Sequence, residues 1–376
     1  MTALLNTVDP DGLAEFSVVF TDRSLNSMSA AFGEVMRDIS SMLREVYNAD
    51  AVALIPGGGT YGMEAVARQF AEGRKALVVR NGWFSYRWSQ IFETGGLPSD
   101  AVVLKARQTG NDTRAPFAPA PIEEVTARIL EERPEIVFAP HVETSAGVIL
   151  PDDYITAMAD AAHQVGALMV LDCIASGCVW VDMRATGVDV LISAPQKGWS
   201  AQPCAGLVMM SERAEARLAE TTSSSFAIDL KKWRAIMATY EAGKHAYHAT
   251  MPTDALRVFR DTMFETKEYG FTRLKDAQWA LGDAVRAMMA DKGVVSVAAD
   301  GFGAPGVVVS YTDDPDISNG SKFSALGTQI AAGVPLECDE PADFRTFRIG
   351  LFGVDKLYDV PGTLARLEPV LDEVLG

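Results

Sequence analysis

Cysteine and histidine are scarce in this sequence, with 4 of each among 376 residues. The four cysteines, Cys173, Cys178, Cys204 and Cys338, have neither the paired spacing of a metal site nor the density of a small disulfide-bonded protein. We therefore expect no bound metal and no disulfide framework. Cys173 and Cys178 flank an apolar run, which favours buried structural thiols.

Excess positive charge and long apolar runs are also missing. Lys and Arg number 33 against 50 Asp and Glu, which gives a formal net charge of −17. This charge disfavours nucleic acid and anionic membranes as partners. Residues 1–9 lack the features of a signal peptide, and no later run is apolar for long enough to span a bilayer. A cytoplasmic location is the resulting expectation.

The chain is longer than one hydrophobic core usually spans, so we predict two domains. Strand and helix patterns alternate through the first half, which is typical of an α/β sheet with helices on both faces. Later helices precede short strands, as in an α+β domain. The predicted parts are an N-terminal arm (1–27), a large domain (28–252) and a small C-terminal domain (253–376).

Three local predictions rest on weaker patterns. The apolar run Phe16–Phe20 indicates a strand in the arm, and residues 106–121, rich in Pro, Ala, Asn and Gly, indicate a surface loop. A helix is expected near residues 321–331.

Two apolar strands carry the strongest functional signal. Residues 167–175 and 188–199 each begin with an apolar run and end in polar residues, as buried strands of parallel sheets do. Asp172 closes the first run and Lys197 follows the second, so both side chains should meet at the carboxyl edge of the sheet, where ligands bind. Taken alone, a loop-capping Asp and a surface Lys would be ordinary. The segment Ser193–Trp199 around the lysine is an unusual place for a free surface charge.

An acid and an amine at one edge suit pyridoxal phosphate. Its aldehyde needs a lysine for a Schiff base, and its pyridine nitrogen needs a carboxylate to stay protonated. Burial lowers the pKa of a lysine, which favours the imine. The pattern therefore assigns these two roles to Lys197 and Asp172.

A glycine-rich segment after the strand Ala51–Ile55 predicts a phosphate site. Gly58, Gly59 and Thr60 open a helix, whose first N–H groups and dipole attract an anion.

The same segment, Gly57–Gly62, also matches the fingerprint of dinucleotide-binding proteins. That alternative requires an acidic residue after the next strand, but Arg80 stands there and at best suits a 2′-phosphate. It also leaves Asp172 and Lys197 unexplained.

Three segments carry a resemblance to a known family: Asp172–Ala205, His141–Val148 and Phe347–Gly353. They resemble the class V aminotransferases of fold type I, in particular the alanine-glyoxylate and serine-pyruvate group. The resemblance implies a large domain with a mostly parallel sheet between helices, a smaller C-terminal α+β domain, pyridoxal 5′-phosphate as cofactor, and a homodimer with shared active sites.

The resemblance also implies roles for single residues. Phe84, beside Trp83, would stack on the cofactor ring, and the Thr144 hydroxyl would bind its 3′ oxygen. His141 is assigned to structure. The remaining implied cofactor contacts are Ile174, Gln196, and, towards the phosphate of the neighbouring subunit, Tyr247 and Thr250.

Arg348 stands among apolar residues, where a cation requires a partner. Its planar fork binds carboxylates through two hydrogen bonds, which predicts a clamp for the α-carboxylate of an amino acid. A structural ion pair is the alternative.

The predicted activity is transfer of an amino group between a small amino acid, of alanine or serine type, and a 2-oxo acid, of glyoxylate or pyruvate type. Lys197, once freed from the cofactor, would act as the general base. A lyase of the same family is the alternative, and an NADP-dependent oxidoreductase has less support. No cysteine lies in an evident persulfide-carrying loop, which disfavours a desulfurase.

Overall fold

The computed structural model describes residues 8–9 and 12–376. The helices of the first half are α1 (Ala30–Tyr47), α2 (Gly59–Phe70), α3 (Trp83–Gly95), α4 (Ile122–Glu132), α5 (Asp152–Gln164) and α6 (Met183–Thr186). Those of the second half are α7 (Glu212–Glu220), α8 (Leu230–Glu241), α9 (Thr253–Tyr269), α10 (Phe271–Asp291), α11 (Pro315–Ser318), α12 (Ser321–Ala325), α13 (Val354–Tyr358) and α14 (Val360–Leu375).

The main sheet contains β1 (Ala51–Pro56), β2 (Lys75–Arg80), β3 (Asp100–Lys105), β6 (Ile136–Pro140), β9 (Leu168–Asp172), β10 (Val190–Ser193) and β11 (Ala205–Met210). Its order is β1-β11-β10-β9-β6-β2-β3, and only β11 runs antiparallel to its neighbours. All residues of β6, β9, β10 and β11 are buried, because helices cover both faces of the sheet. These observations confirm the predicted α/β sheet.

A second sheet has the order β12-β14-β13, from β12 (Val307–Tyr311), β13 (Ala331–Ala332) and β14 (Thr346–Gly350). It packs against the hairpin formed by β7 (Val142–Glu143) and β8 (Val148–Ile149) in one apolar cluster. Backbone hydrogen bonds join the two parts, since Ala304 N donates to Gly147 O at 2.7 Å. The hairpin therefore links the main sheet to the C-terminal strands. The domain boundaries stay a prediction.

Three local predictions were wrong. Residues 16–20 form no strand, and Phe16 is almost fully exposed. Residues 106–121 are not a plain surface loop, because β4 (Arg107–Gln108) and β5 (Phe117–Ala118) pair there around the buried Phe117. The helix expected at 321–331 ends at Ala325, since Gly327 takes a positive φ of 71° and breaks the pattern.

The sheet order excludes the dinucleotide-binding alternative. Its fingerprint requires a strand, a helix and a second strand that lies parallel in the same unit. Here β1 pairs with the antiparallel β11, and β2 lies at the other side of the sheet between β6 and β3. The glycines of residues 57–62 thus open a helix in a different topology.

The four cysteines are free and buried, which includes Cys173 and Cys178, the two for which burial was expected. Within the described part of the chain, no helix has the length and apolar character needed to cross a membrane.

Candidate active site

The predicted acid and amine meet at one edge of the main sheet. Asp172 is the last residue of β9 and pairs in parallel register with Ile192 of β10, after which the chain turns at Lys197. Both side chains line a cavity of about 140 Å³. The residues that line it are Gly59, Thr60, Phe84, Arg87, Val142, Thr144, Asp172, Ile174, Ala175, Gln196 and Lys197.

The Asp172 carboxyl group is nearly inaccessible, with 7% of the residue exposed. Burial raises its pKa to about 7, although the Ile174 N–H, which donates to Oδ1 at 2.9 Å, opposes this rise. The negative charge of Glu143 adds to the rise, and the cation of Arg87 lowers it. Among the residues that the structure describes, none places a cation close enough to Asp172 to keep the carboxyl group ionised.

The surroundings of Lys197 favour the neutral form of its amine. Burial lowers the pKa of its amine, and the nearby Arg348 lowers it further. Among the described residues no carboxylate lies within salt-bridge distance of this amine. Its Nζ atom instead lies 5.0 Å from the ring centroid of Phe352. Such an amine is closer to the neutral, nucleophilic form than a surface lysine.

The glycine-rich segment forms the end of the cavity beneath helix α2. Gly58 is the N-cap of this helix and provides no side chain to satisfy the first N–H groups. A Cβ at Gly59 would lie 2.5 Å from Ile174 Cδ1, so a larger residue would force the Ile174 side chain, just beyond β9, to shift. The free N–H groups of α2 therefore face the same cavity as Asp172.

Arg87 is a charged residue of the cavity that the sequence patterns did not reveal. Its Nη1 donates to Thr60 Oγ1 at 3.1 Å, and its guanidinium carbon lies 5.3 Å from the Phe84 ring centroid. Arg87 follows Phe84 by three residues on α3, a spacing that places both on one face of a helix. That spacing in the sequence could have indicated that Arg87 lies beside Phe84.

Arg348 is a second arginine close to the Phe84 ring. Its guanidinium carbon is 5.6 Å from the ring centroid, and Nε donates to Ala332 O at 2.8 Å. In the described part of the chain it has no carboxylate within salt-bridge distance, so the alternative of a structural ion pair is not observed. Burial lowers the pKa of this guanidinium, while Glu143 acts in the other direction.

A second missed residue, Glu143, is fully buried and connects β7 to the start of α3. Its Oε1 accepts from Phe84 N at 3.2 Å, and its Oε2 accepts from Ser85 N at 2.9 Å. The Ser85 and Ser145 hydroxyls donate to the same carboxylate at 2.7 and 2.6 Å. This carboxylate accepts hydrogen bonds from N–H groups of the first turn of α3 and so fixes Phe84 relative to β7.

Two predicted contacts lie outside the cavity of this chain. Tyr247 is 61% exposed, and its hydroxyl lies 3.2 Å from Thr250 Oγ1. Neither residue lines the cavity. The structure brings together the other predicted cofactor residues but leaves this pair at the surface.

His141 has the environment expected of a structural histidine. Its Nδ1 lies 2.7 Å from Ser176 Oγ, and burial lowers its pKa to about 3. The ring is thus neutral over the physiological range.

A lysine and an acid at the carboxyl edge of a mostly parallel sheet, with a helix N-terminus beside them, define a protein of the fold type I class. A family model for class-V aminotransferases matches residues 16–300. The chain therefore belongs to the class-V aminotransferase family.

Similar proteins come from several organisms. Alanine–glyoxylate aminotransferase 1 of Saccharomyces cerevisiae is 26% identical over 353 residues, which cover 88% of this chain and 86% of that protein. A protein named soluble hydrogenase, small subunit, from Synechococcus sp. is 25% identical and covers 92% of this chain and 86% of its own. The crystal structure of an alanine–glyoxylate aminotransferase from Nostoc sp. has a TM-score of 0.78 at 20% identity, covering 93% of this chain and 89% of that one. This last similarity confirms the fold.

Proposed function

We propose that the protein is a pyridoxal-phosphate-dependent aminotransferase that moves an amino group between a small amino acid and a 2-oxo acid. The observation that carries this proposal is the meeting of a half-buried Lys197 and a buried Asp172 in one cavity, neither with an oppositely charged partner among the described residues. Membership of the class-V family supports it.

The residues present fit the cofactor. Asp172 is a buried acid with no cation in contact with it among the described residues, and a protonated pyridine nitrogen would supply one. Gln196 Oε1 is buried and has no hydrogen-bond partner in the described part of the chain. The free N–H groups of α2 suit a phosphate, Arg87 adds a positive charge beside Thr60, and Gln196 and Ile174 would contact the ring. Bound pyridoxal phosphate supplies an aldehyde that condenses with amines and a ring that accepts electrons from the substrate carbon.

Lys197 would then serve as the general base. A lysine with a lowered pKa is neutral in a larger fraction of molecules, so its Nζ can accept the proton from the α-carbon of the substrate. Arg348 would hold the α-carboxylate through two hydrogen bonds and so orient the α-carbon towards Nζ. Phe84 would stack on the ring, and Thr144 would donate to its 3′ oxygen.

The two half-reactions would share one carboxylate site. The amino acid and the oxo acid both carry an α-carboxylate, so both would compete for Arg348 and must bind in turn. Alanine or serine as donor, with glyoxylate or pyruvate as acceptor, is the proposed substrate pair. The yeast relative named alanine–glyoxylate aminotransferase supports this choice.

We also include a homodimer in the proposal. Tyr247 and Thr250 are exposed and carry hydroxyl groups that can donate to a phosphate without adding charge. In a dimer these groups would reach the phosphate in the partner subunit.

The test is a comparison of amino acids with and without an acceptor. With alanine alone, product should stop at one equivalent per active site, and glyoxylate should restore turnover. Continued release of product from one amino acid would identify a lyase instead. Lys197→Ala should abolish both the visible absorbance and turnover, whereas the control Lys231→Ala, at an exposed lysine of α8, should retain them.

A further inference from the structure

The aromatic ring of Phe352 forms a wall beside the reactive amine. Phe352 lies just after β14, four residues beyond Arg348, and its ring centroid is 5.0 Å from Lys197 Nζ. A substrate whose carboxylate is held by Arg348 and whose α-carbon lies near Nζ must place its side chain close to this ring.

The backbone around the ring is held from three directions. Leu351 N donates to Gly306 O at 2.9 Å, and Gln278 Nε2 donates to Leu351 O at 3.2 Å. Lys356 Nζ donates to Phe352 O at 2.8 Å. These bonds come from the residue before β12, from α10 and from α13, so a shift of the backbone at residues 351–352 would break contacts with separate elements.

A fourth contact connects this backbone to the lysine turn. Val354 N donates to Ser200 Oγ at 2.8 Å, and Ser200 N donates to Lys197 O at 3.1 Å. Ser200 has a φ of 57°, a left-handed conformation that is uncommon outside glycine and persists where the surroundings enforce it. Two hydrogen bonds therefore relate the position of the ring to that of the lysine.

Part of the half-buried ring packs on glycine backbone. A Cβ at Gly306 would lie 2.9 Å from Phe352 Cε1, and one at Gly177 would lie 3.6 Å from Cδ1. A movement of the ring towards either glycine would therefore meet backbone atoms. Packed interiors respond to such changes with strain and do not deform freely.

We infer that Phe352 sets the upper size limit of the substrate side chain, an inference that rests on the proposed aminotransferase function. A carbon atom needs about 3.5–4 Å from ring carbons. With the ring centroid 5.0 Å from Nζ, no carbon atom can lie between the amine and the ring, so a side chain directed at the ring can extend only until it contacts the ring carbons. We expect glycine, alanine and serine to fit, whereas branched and aromatic side chains should clash with the ring.

The first test measures binding without turnover. Propionate, butyrate, valerate and 4-methylvalerate carry the carboxylate but no amine, and their dissociation constants follow from calorimetry on the cofactor-loaded protein. For the wild type, affinity should fall once the chain exceeds three carbons. In Phe352→Ala, valerate and 4-methylvalerate should bind about tenfold more tightly, as one or two accommodated methylene groups allow, while propionate should change less than about threefold.

The second test uses turnover with alanine, 2-aminobutyrate and norvaline as donors. The ratio of kcat/KM for norvaline to that for alanine should rise about tenfold or more in Phe352→Ala and in the milder Phe352→Leu. Gly306→Ala should act in the opposite direction, because its new methyl group would push the ring towards Lys197. Phe344→Ala is the matched control, a half-buried ring of the same apolar cluster that packs on Phe117 and Tyr311.

Three results would decide the matter. An unchanged chain-length profile in folded Phe352→Ala and Phe352→Leu would overturn the role of the ring, as would an equal change in Phe344→Ala. Failure of the wild type to transaminate any amino acid would reject the proposed function. The dissociation constants of the carboxylate series would still show whether Phe352 limits the length of the bound chain. Thermal unfolding of each variant identifies those that do not fold, and Phe352→Leu, which conserves most of the apolar volume, keeps the test available.

Discussion

When a carboxyl group is buried, its charged form destabilises the folded protein unless a cation lies in contact with it. Asp172 is such a group, with a single backbone donor and a pKa raised to about 7. The fold therefore holds this residue in a state that a protonated pyridine ring would relieve. A structural role alone would have favoured a neutral side chain at this position.

The raised pKa of Asp172 predicts a pH dependence of the cofactor-free protein. A folded-state pKa of about 7 exceeds the unfolded value, so the folded state binds this proton more tightly. The contribution to stability is therefore fully present below pH ~4 and is lost as pH rises to about 7. The Asp172→Asn side chain does not ionise, so this variant does not lose stability as the pH rises. Its free energy of unfolding should therefore exceed that of the wild type at pH 8, by up to about 4 kcal/mol. Urea unfolding at pH 5 to 8 measures the difference, and a pH-independent difference would contradict the assignment.

The geometry of Arg348 predicts a specific loss when its fork is removed. Arg348→Lys retains the charge but presents no planar pair of donors. We expect a loss of about 1.5–3 kcal/mol in transition-state binding, as for hydrogen bonds to charged groups, or roughly 10- to 150-fold in kcat/KM. Arg345→Lys, in the same segment but directed to Asp313 O, should leave kcat/KM unchanged. Equal effects of the two substitutions would refute the clamp.

At the scale of elements, the start of helix α3 depends on a buried acid from another part of the chain. Glu143 lies on β7, yet its two oxygens accept hydrogen bonds from the first turn of α3. An anion at a helix N-terminus is stabilised by the free N–H groups and the dipole. These hydrogen bonds fix the start of α3, which carries Phe84, relative to the β7 segment that leads to Thr144.

We expect Glu143→Gln to weaken cofactor binding more than a comparable change elsewhere. An amide has only one accepting oxygen, so some donors of Phe84, Ser85 or Ser145 would face its NH₂ group. The free energy of unfolding should fall by about 1–3 kcal/mol. The dissociation constant for pyridoxal phosphate, measured by quenching of tryptophan fluorescence, should rise as well. Asp229→Asn alters another carboxylate cap, at α8, and should lower stability without changing the cofactor affinity; equal affinities in both variants would contradict the role of Glu143.

The sequence was informative where one element carried the whole signal. Asp172 ends a strand, Lys197 lies in the turn after the next strand, and Gly59 begins a helix. Apolar runs and a glycine cluster in the sequence were therefore enough to predict that all three lie at one edge of the sheet. The cap made by Glu143 was not predictable in this way, because its donors lie 58 and 59 residues away in the chain. Likewise, the short helix at 321–325 ends before Gly327, whose left-handed backbone conformation is not reported by apolar periodicity.

At the scale of the whole molecule, the site combines distant parts of the chain. The cavity is lined from Gly59 to Lys197, while Arg348 and Phe352 approach it from the C-terminal strands. The net charge of −17 would repel an anionic cofactor and substrate at long range. Arg87 and Arg348 supply local positive charge, which matters more because screening limits the reach of distant charges to about 8 Å at physiological salt.

The surface position of Tyr247 and Thr250 predicts active sites that are completed by a second subunit. Lys197→Ala chains and Tyr247→Phe/Thr250→Val chains should each be inactive or weak as homodimers. When the two are mixed and reassembled, the heterodimer would contain one site with both defects and one intact site, so activity should recover towards half that of the wild type. If the hydroxyl groups acted within their own chain, both sites of the heterodimer would stay defective and no activity would return. Sedimentation must show that the active species is a dimer, and a fully active monomer would refute the shared site.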